Sequence, residues 1–398
     1  MSFCDSLSLL PEDPILGIPK LFAADPRPHK VNLGVGSYRD SEGVSYVLDC
    51  VRDAEAALLA KKMHKEYLPI EGDVQLAKLT EQLIFGKEGA TPLGDRLLTV
   101  QTIGGTGALY VGGKLLFQQK AAMYLPDVTW PNHYPLFDRL GMEVHAYPYY
   151  NVKTHRIDVD AMYHEISQAP SGSAVLLHAC CHNPTGMDPT LDQWKKLSAI
   201  MKQRQLIPFF DFAYQGFRST IDDDASAIRY FASQGHEMLV AYSFAKNFGL
   251  YGERVGTLSI ITQSQESTQK AASHIKKIIR SHYSSPPRHG SDLVCQILNN
   301  ETMKTTWIHE LGNMRDRLLE MRQTLIAGLQ VKDSSYDWSF LHRQHGFFSF
   351  CGLNEKQVQR MMKDYAIYMP MDGRINVGGL NAHNMDVVID AITDVMRA

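Results

Sequence analysis

The chain reads as an α/β protein: a large domain on a mainly parallel seven-stranded sheet covered by helices, with a smaller α+β domain beside it. Three observations point there. Between about residues 70 and 262, seven short apolar runs (97–100, 122–126, 143–148, 174–179, 206–210, 238–244 and 255–261) alternate with stretches of helical periodicity. Strands buried on both faces are apolar throughout, so this alternation is the mark of a sheet sandwiched between helices. From residue 301 the pattern changes to one long amphipathic repeat. Finally, 398 residues are too many for one ordinary core.

In chain order, the first 45 residues contain a Pro-rich entry and one strand at 31–35. They are too short to fold alone and are expected to join the C-terminal unit. Helices are expected at 73–85, 108–118, 131–140, 159–168, 190–205 and 225–234. Thr190-Leu-Asp-Gln193 is a capping box that fixes the start of one of them. Trp307, Leu311, Met314, Leu318, Met321, Leu325 and Leu329 recur at spacings of four and three, which predicts a single helix over 301–330, long enough to bridge two domains. Segments 337–352 and 365–380 read as the smaller α+β unit. The expected division is an N-terminal arm at 1–12, a small domain of 13–45 and 314–398, and a large cofactor-binding domain of 46–313.

Hydrophobic residues make up 44%, charged residues 21%, and the formal net charge is −3. Such a balance offers no electrostatic case for nucleic acid or membrane binding. No apolar run approaches the roughly 18 residues of a membrane span. The N-terminus lacks the basic and apolar regions of a signal peptide. Six scattered cysteines fit free thiols in a reducing compartment, so the cytoplasm is expected.

Ligands of open α/β sheets sit outside the carboxyl ends of the strands, so the residues after each apolar run carry the chemistry. Ser243-Phe-Ala-Lys246 follows one run, and Arg254 comes eight residues later. A lysine desolvated at a strand end suits Schiff-base chemistry, and an arginine with hydroxyls nearby suits a phosphate. Together they point to pyridoxal phosphate, although a lone lysine in this position is usually a surface residue. Asp211 ends another run with Tyr214 three residues on; the carboxylate could pair with a protonated ring nitrogen and the phenol with a ring oxygen. An isolated strand-end aspartate more often caps a turn.

His178-Ala-Cys-Cys-His-Asn183-Pro-Thr-Gly186 aims an Asn amide from a turn. Its spacing is poor for zinc, so no metal is expected, and His178 reads as a residue that orients Asp211. Gly104-Gly105-Thr106-Gly107 opens a helix whose free amides suit a phosphate, but it does not meet the dinucleotide fingerprint. Arg280 and Arg374 are planar forks for carboxylates, and Trp130 could stack on a flat ring. Taken singly, salt bridges and core packing explain these three as well.

Taken together, the segments resemble the aspartate/aromatic aminotransferase family of fold type I pyridoxal phosphate enzymes. The resemblance runs from Asp13-Pro-Ile-Leu-Gly17 to Gly373-Arg-Ile-Asn-Val377. It takes in Asn32-Leu-Gly-Val-Gly36, Tyr67-Leu-Pro-Ile-Glu-Gly72, Gly105-Thr-Gly-Ala108, Thr129-Trp-Pro-Asn-His133, His182-Asn-Pro-Thr-Gly186 and Asp211-Phe-Ala-Tyr-Gln-Gly-Phe217. It implies that Lys246 carries the cofactor and then shuttles the substrate Cα proton. Asp211 would pair with the ring nitrogen, while Asn183 and Tyr214 hold the ring oxygen. Gly105, Thr106, Ser243 and Arg254 would bind the phosphate. Arg374 would clamp the substrate α-carboxylate, helped by Asn183, Trp130 and the Gly36 backbone. Tyr67 and Arg280 would reach into a neighbouring subunit's site, with Arg280 on the distal carboxylate, which implies a homodimer with shared active sites.

The implied reaction moves the amino group of aspartate or of tyrosine and phenylalanine to 2-oxoglutarate. Gly104 and Ser285 stand where many aspartate-specific members have serine and asparagine, which resembles the bacterial aromatic branch. Ala245 replaces a further serine and removes a possible phosphate hydroxyl. The alternatives are a decarboxylase or β-eliminating lyase with the same cofactor, and a non-catalytic binding protein on the same fold.

Overall fold

Both faces of the central sheet are buried at its inner strands, which is why Ala174–His178, Ile207–Phe212 and Met238–Ser243 are mostly apolar. Along neighbouring strands, Leu176, Phe209 and Leu239 point into one apolar cluster while Leu177, Phe210 and Val240 point into another. The computed structural model describes residues 3–10, 13 and 15–397; residues 1, 2, 11 and 12 of the expected N-terminal arm, and Pro14, lie outside the described residues. Side by side, the seven strands are Leu97–Ile103, Val255–Ile261, Met238–Ser243, Ile207–Phe212, Ala174–His178, Met123–Pro126 and Val144–Tyr147. All run parallel except Val255–Ile261, which is antiparallel to both neighbours.

The six expected helices are present, and Thr190 and Gln193 form the reciprocal capping box. The first extends past its expected end as Val74–Ala90, with a break at Gly86, whose φ is +75°. The long helix is Glu301–Lys332. Its Trp307, Leu311, Met314 and Leu318 pack into the large apolar cluster, and its Leu325, Ile326 and Leu329 into a separate one. Buried Glu310 on this helix accepts the amides of Asp49 and Cys50 and the hydroxyl of Tyr46, which satisfies the N-terminus of helix Asp49–Ala60.

The separate cluster gathers Val31 and Leu33 with residues of 325–395. Phe348–Phe350 pairs antiparallel with Arg374–Asn376, and Val31–Asn32 parallel with Ile367–Tyr368. The strand expected at 31–35 is therefore only two residues long. Its partner soon reaches Pro370, which has no amide to continue a ladder. Among the described residues, no helix is long and apolar enough to cross a membrane.

Candidate active site

The reversed strand decides who meets whom. Parallel strands place Ile103, Ser243, Phe212, His178 and Pro126 at one edge of the sheet. Because Val255–Ile261 runs the other way, its start lies at that same edge: Val255 sits opposite Ile103, and Gly256 opposite Ser243. Arg254, which precedes the strand, thus reaches the residues that follow the others. A Cβ on Gly104 would lie 2.6 Å from Arg254 Nη2, and Gly104 has φ +74°, so glycine relieves the backbone there and leaves room for the arginine head. Helix Gly104–Gln118 starts at this point with no side chain capping its amides.

A cleft of about 220 Å³ opens above this edge. Eleven of the expected site residues line it: Gly36, Gly105, Thr106, Trp130, Asn183, Asp211, Tyr214, Ser243, Lys246, Arg254 and Arg374. The Lys246 ammonium stands 5.4 Å from the centre of the Tyr214 ring. Burial pulls its pKa below the usual lysine range, with Arg254 acting in the same direction and Asp211 against it. Burial alone would raise the Asp211 carboxyl, but its bond to His133 and the nearby His133, His178 and Lys246 outweigh that and hold it low. Tyr214 is kept protonated by burial, which outweighs the pull of Arg374.

At the far wall, Arg374 is 1% exposed. Its Nη1 donates to Asn183 Oδ1 at 3.0 Å and its Nη2 to the Gly34 carbonyl at 3.1 Å. Its guanidinium carbon lies 4.2 Å from the centre of the Phe348 ring, and its Nε is buried without a partner. A buried guanidinium that lines a cleft is suited to an arriving carboxylate.

Behind Asp211 runs a directional relay. The Asn183 backbone amide donates to His178 Nδ1 at 3.3 Å, so that nitrogen is an acceptor and His178 carries its proton on Nε2. Burial pulls His178 down to about 3, which keeps it neutral. His178 Nε2 then donates to Thr129 Oγ1 at 3.0 Å, leaving the threonine proton for His133 Nδ1 at 2.8 Å. His133 Nε2 therefore carries the proton and donates to Asp211 Oδ2 at 3.1 Å. One backbone amide, which can only donate, fixes two histidine tautomers and ends on the carboxylate.

That relay corrects the sequence reading in one respect. His178 lies opposite Asp211 in the strand register, yet His133 makes the bond to it. His133 was visible only as the end of Thr129-Trp-Pro-Asn-His133, and nothing local tied it to a carboxylate 78 residues away. Phe348, Leu109 and Ile15 also line the cleft and were not singled out. Two expected residues are not brought in: Tyr67 is 86% exposed, and Arg280 is exposed with its guanidinium on Ser284. Among the described residues, no group of three or more His, Cys, Asp or Glu side chains is placed to hold a metal ion.

Comparison with known proteins agrees with this geometry. Residues 28–392 match the family model for aminotransferase class I and II. The chain is 46% identical to a cytoplasmic aspartate aminotransferase of Oryza sativa subsp. japonica, over 97% of this chain and 96% of that one. It is 42% identical to the aspartate aminotransferase of Escherichia coli K12, over 98% and 100% of the two chains. The crystal structure of an aromatic-amino-acid aminotransferase from Burkholderia pseudomallei, covalently bound to pyridoxal phosphate, superposes with a TM-score of 0.96 at 43% identity, over 99% and 100% of the chains. An aromatic amino acid aminotransferase from Psychrobacter sp. B6, cocrystallised with aspartic acid, gives 0.96 at 39% identity, with both chains covered in full.

Proposed function

This chain belongs to the class I and II aminotransferase family, and from that premise we propose how its residues divide the work of a pyridoxal phosphate-dependent transaminase acting on aspartate and aromatic amino acids. The observation that carries the reading is one buried lysine placed between two anion-binding ends, Arg254 with the Gly105 helix start and Arg374. The residues fit the cofactor. The uncapped helix start, Ser243 and Arg254 suit a phosphate; a side chain at position 104 would fill that cradle.

The cofactor supplies an electron sink for the charge left on Cα when its proton departs. Lys246 would hold the cofactor covalently, and its Nζ, whose charged form burial disfavours, would take and return the Cα proton. Asp211, held ionised by the relay through His133, would pair with the ring nitrogen. Asn183 and Tyr214 would donate to the ring oxygen, and Trp130 would stack on the ring. Gly105, Thr106, Ser243 and Arg254 bind the phosphate. Arg374 would clamp the α-carboxylate, with Asn183, Trp130 and the Gly36 backbone beside it. The acceptor is 2-oxoglutarate.

Tyr67 and Arg280 act, in this reading, in the site of a second copy of the chain, Arg280 on the distal carboxylate. Their exposure in a single chain supports that role. The arm 1–12, the small domain 13–45 and 314–398 and the large domain 46–313 belong to the same reading. The separate apolar cluster of Val31, Leu33 and residues of 325–395 supports a small domain built from both ends of the chain, while Tyr38, Met314, Leu318, Phe347, Phe348 and Phe350 pack into the large cluster. The cytoplasmic address rests on free cysteines at 50, 180, 181, 295 and 351 and on the cytoplasmic relative.

A panel of amino donors assayed with 2-oxoglutarate, alongside Lys246→Ala, tests the assignment. Glutamate and the matching 2-oxo acid are the expected products, and Lys246→Ala should lose both half-reactions and the visible absorbance. Carbon dioxide, or pyruvate with ammonia, as the main product would favour a decarboxylase or lyase instead.

A further inference from the structure

The loops after strands Ala174–His178 and Ile207–Phe212 carry Asn183 and Tyr214, and each loop is tied down by a buried carboxylate. Asp188 accepts the amides of Cys181 at 2.8 Å and His182 at 2.9 Å, the two residues just before Asn183. Asp224 accepts the amides of Gly216 at 2.8 Å, Arg218 at 3.1 Å and Ser219 at 3.0 Å, beginning two residues after Tyr214. The Asp188 side chain is 1% exposed and Asp224 is 2% exposed, so neither carboxylate has water as an alternative.

Arg218 connects the two. Its backbone amide is held by Asp224, while its Nε lies 3.5 Å from Asp188 Oδ2. The backbone at both loops is also in the left-handed region, with φ +51° at Cys181 and +90° at Gly216. A non-glycine residue such as Cys181 holds that conformation against strain, and the bond from its own amide to Asp188 helps to keep it there. None of the three charged residues lines the cleft.

We propose that Asp188, Arg218 and Asp224 form a brace that fixes the Asn183 side chain and the Tyr214 hydroxyl relative to each other. They are positioning residues: by setting two loop geometries together, they set the pair of hydrogen bonds given to the cofactor's ring oxygen. The inference rests on the cofactor reading above. If each carboxylate merely closed its own turn, the Arg218 side chain would be dispensable to the site.

Arg218→Met tests this directly, since it keeps the backbone amide on Asp224 and removes only the link to Asp188. Asp224→Asn, which turns an NH₂ toward amide donors, is the harsher companion. Three quantities are read: Tm with and without pyridoxal phosphate, the apoprotein's affinity for it, and the pH midpoint of the bound chromophore. In Arg218→Met the apoprotein Tm should fall by a few degrees, because buried Asp188 keeps its two amides but loses the arginine beside it. Affinity should fall several-fold, the Tm gain on cofactor binding should shrink, and the pH midpoint should move by about half a unit or more. An Arg218→Met protein with wild-type affinity and midpoint overturns the brace, whether or not Asp224→Asn folds. A wild-type protein that forms no chromophore overturns the cofactor reading, and the brace with it.

Discussion

The floor of the cleft and its outer rim are built in opposite ways. On the floor, Asp211 is reached through a relay of Thr129 and two histidines, and Arg374 is buried against Asn183, Gly34 and Phe348. At the rim, Tyr67 and Arg280 stand exposed and outside the cavity. A charge in solvent gains little and is free to move, whereas a charge fixed in a dry pocket acts at full strength on its target. The difference separates two tasks. On the proposed reading, one chain supplies the buried groups for the cofactor and the α-carboxylate, and the exposed Arg280 would select the side chain in a second copy.

The comparison would break most visibly at Arg280. Arg280→Ala should lower kcat/KM for aspartate and glutamate by roughly a hundredfold or more, through loss of a bidentate carboxylate contact, and leave tyrosine and phenylalanine within a few-fold. Mixing Arg280→Ala chains with Lys246→Ala chains should then restore dicarboxylate activity, because the hybrid has one complete site. No recovery in the mixture would place Arg280 in its own chain's site or in none.

A smaller loss is expected on the floor. Thr129→Val removes the one hydroxyl that serves both histidines and leaves two buried ring nitrogens unpaired. Each such group costs about 1–3 kcal/mol, so activity should fall roughly tenfold and Tm should drop. Thr129→Ser should recover both. A serine variant as poor as the valine would mean that packing, not the hydroxyl, matters there.

The finest distinction is electrostatic. In the apoprotein, Lys246 should react with an amine-specific reagent at a lower pH than the exposed lysines, since burial disfavours its charged form. Asp211 opposes that shift, so Asp211→Asn should move the labelling midpoint further down. Peptide mapping across a pH series reads this, and an upward move would remove Asp211 as the lysine's counter-charge.

Much of the fold is legible because both faces of the sheet are covered, which leaves each strand as an apolar run with its turn residues beside it. The same logic exposes Lys246, Asp211 and Asn183, which all sit just beyond such runs. Arg254 does not obey that rule, since it precedes its strand, and its place depends on a reversal of direction that apolar runs do not record. His133 and Phe348 depend on pairings across 78 and 26 residues, with Asp211 and Arg374, and neither carries a local signature. The strand at 31–35 looked longer than it is because its length is set by Pro370, on a partner remote in sequence.

The reversed strand also imposes an order of assembly. Val255–Ile261 is threaded between Leu97–Ile103 and Met238–Ser243, so the phosphate cradle has no second side until those residues have left the ribosome and found their slot. The parallel part of the sheet can form earlier from neighbouring segments, whereas this insertion closes a gap of more than a hundred residues. Cofactor capture is therefore a sign of a finished sheet: a chain arrested before that strand holds Lys246 and Arg254 but has nothing to set the arginine beside the lysine.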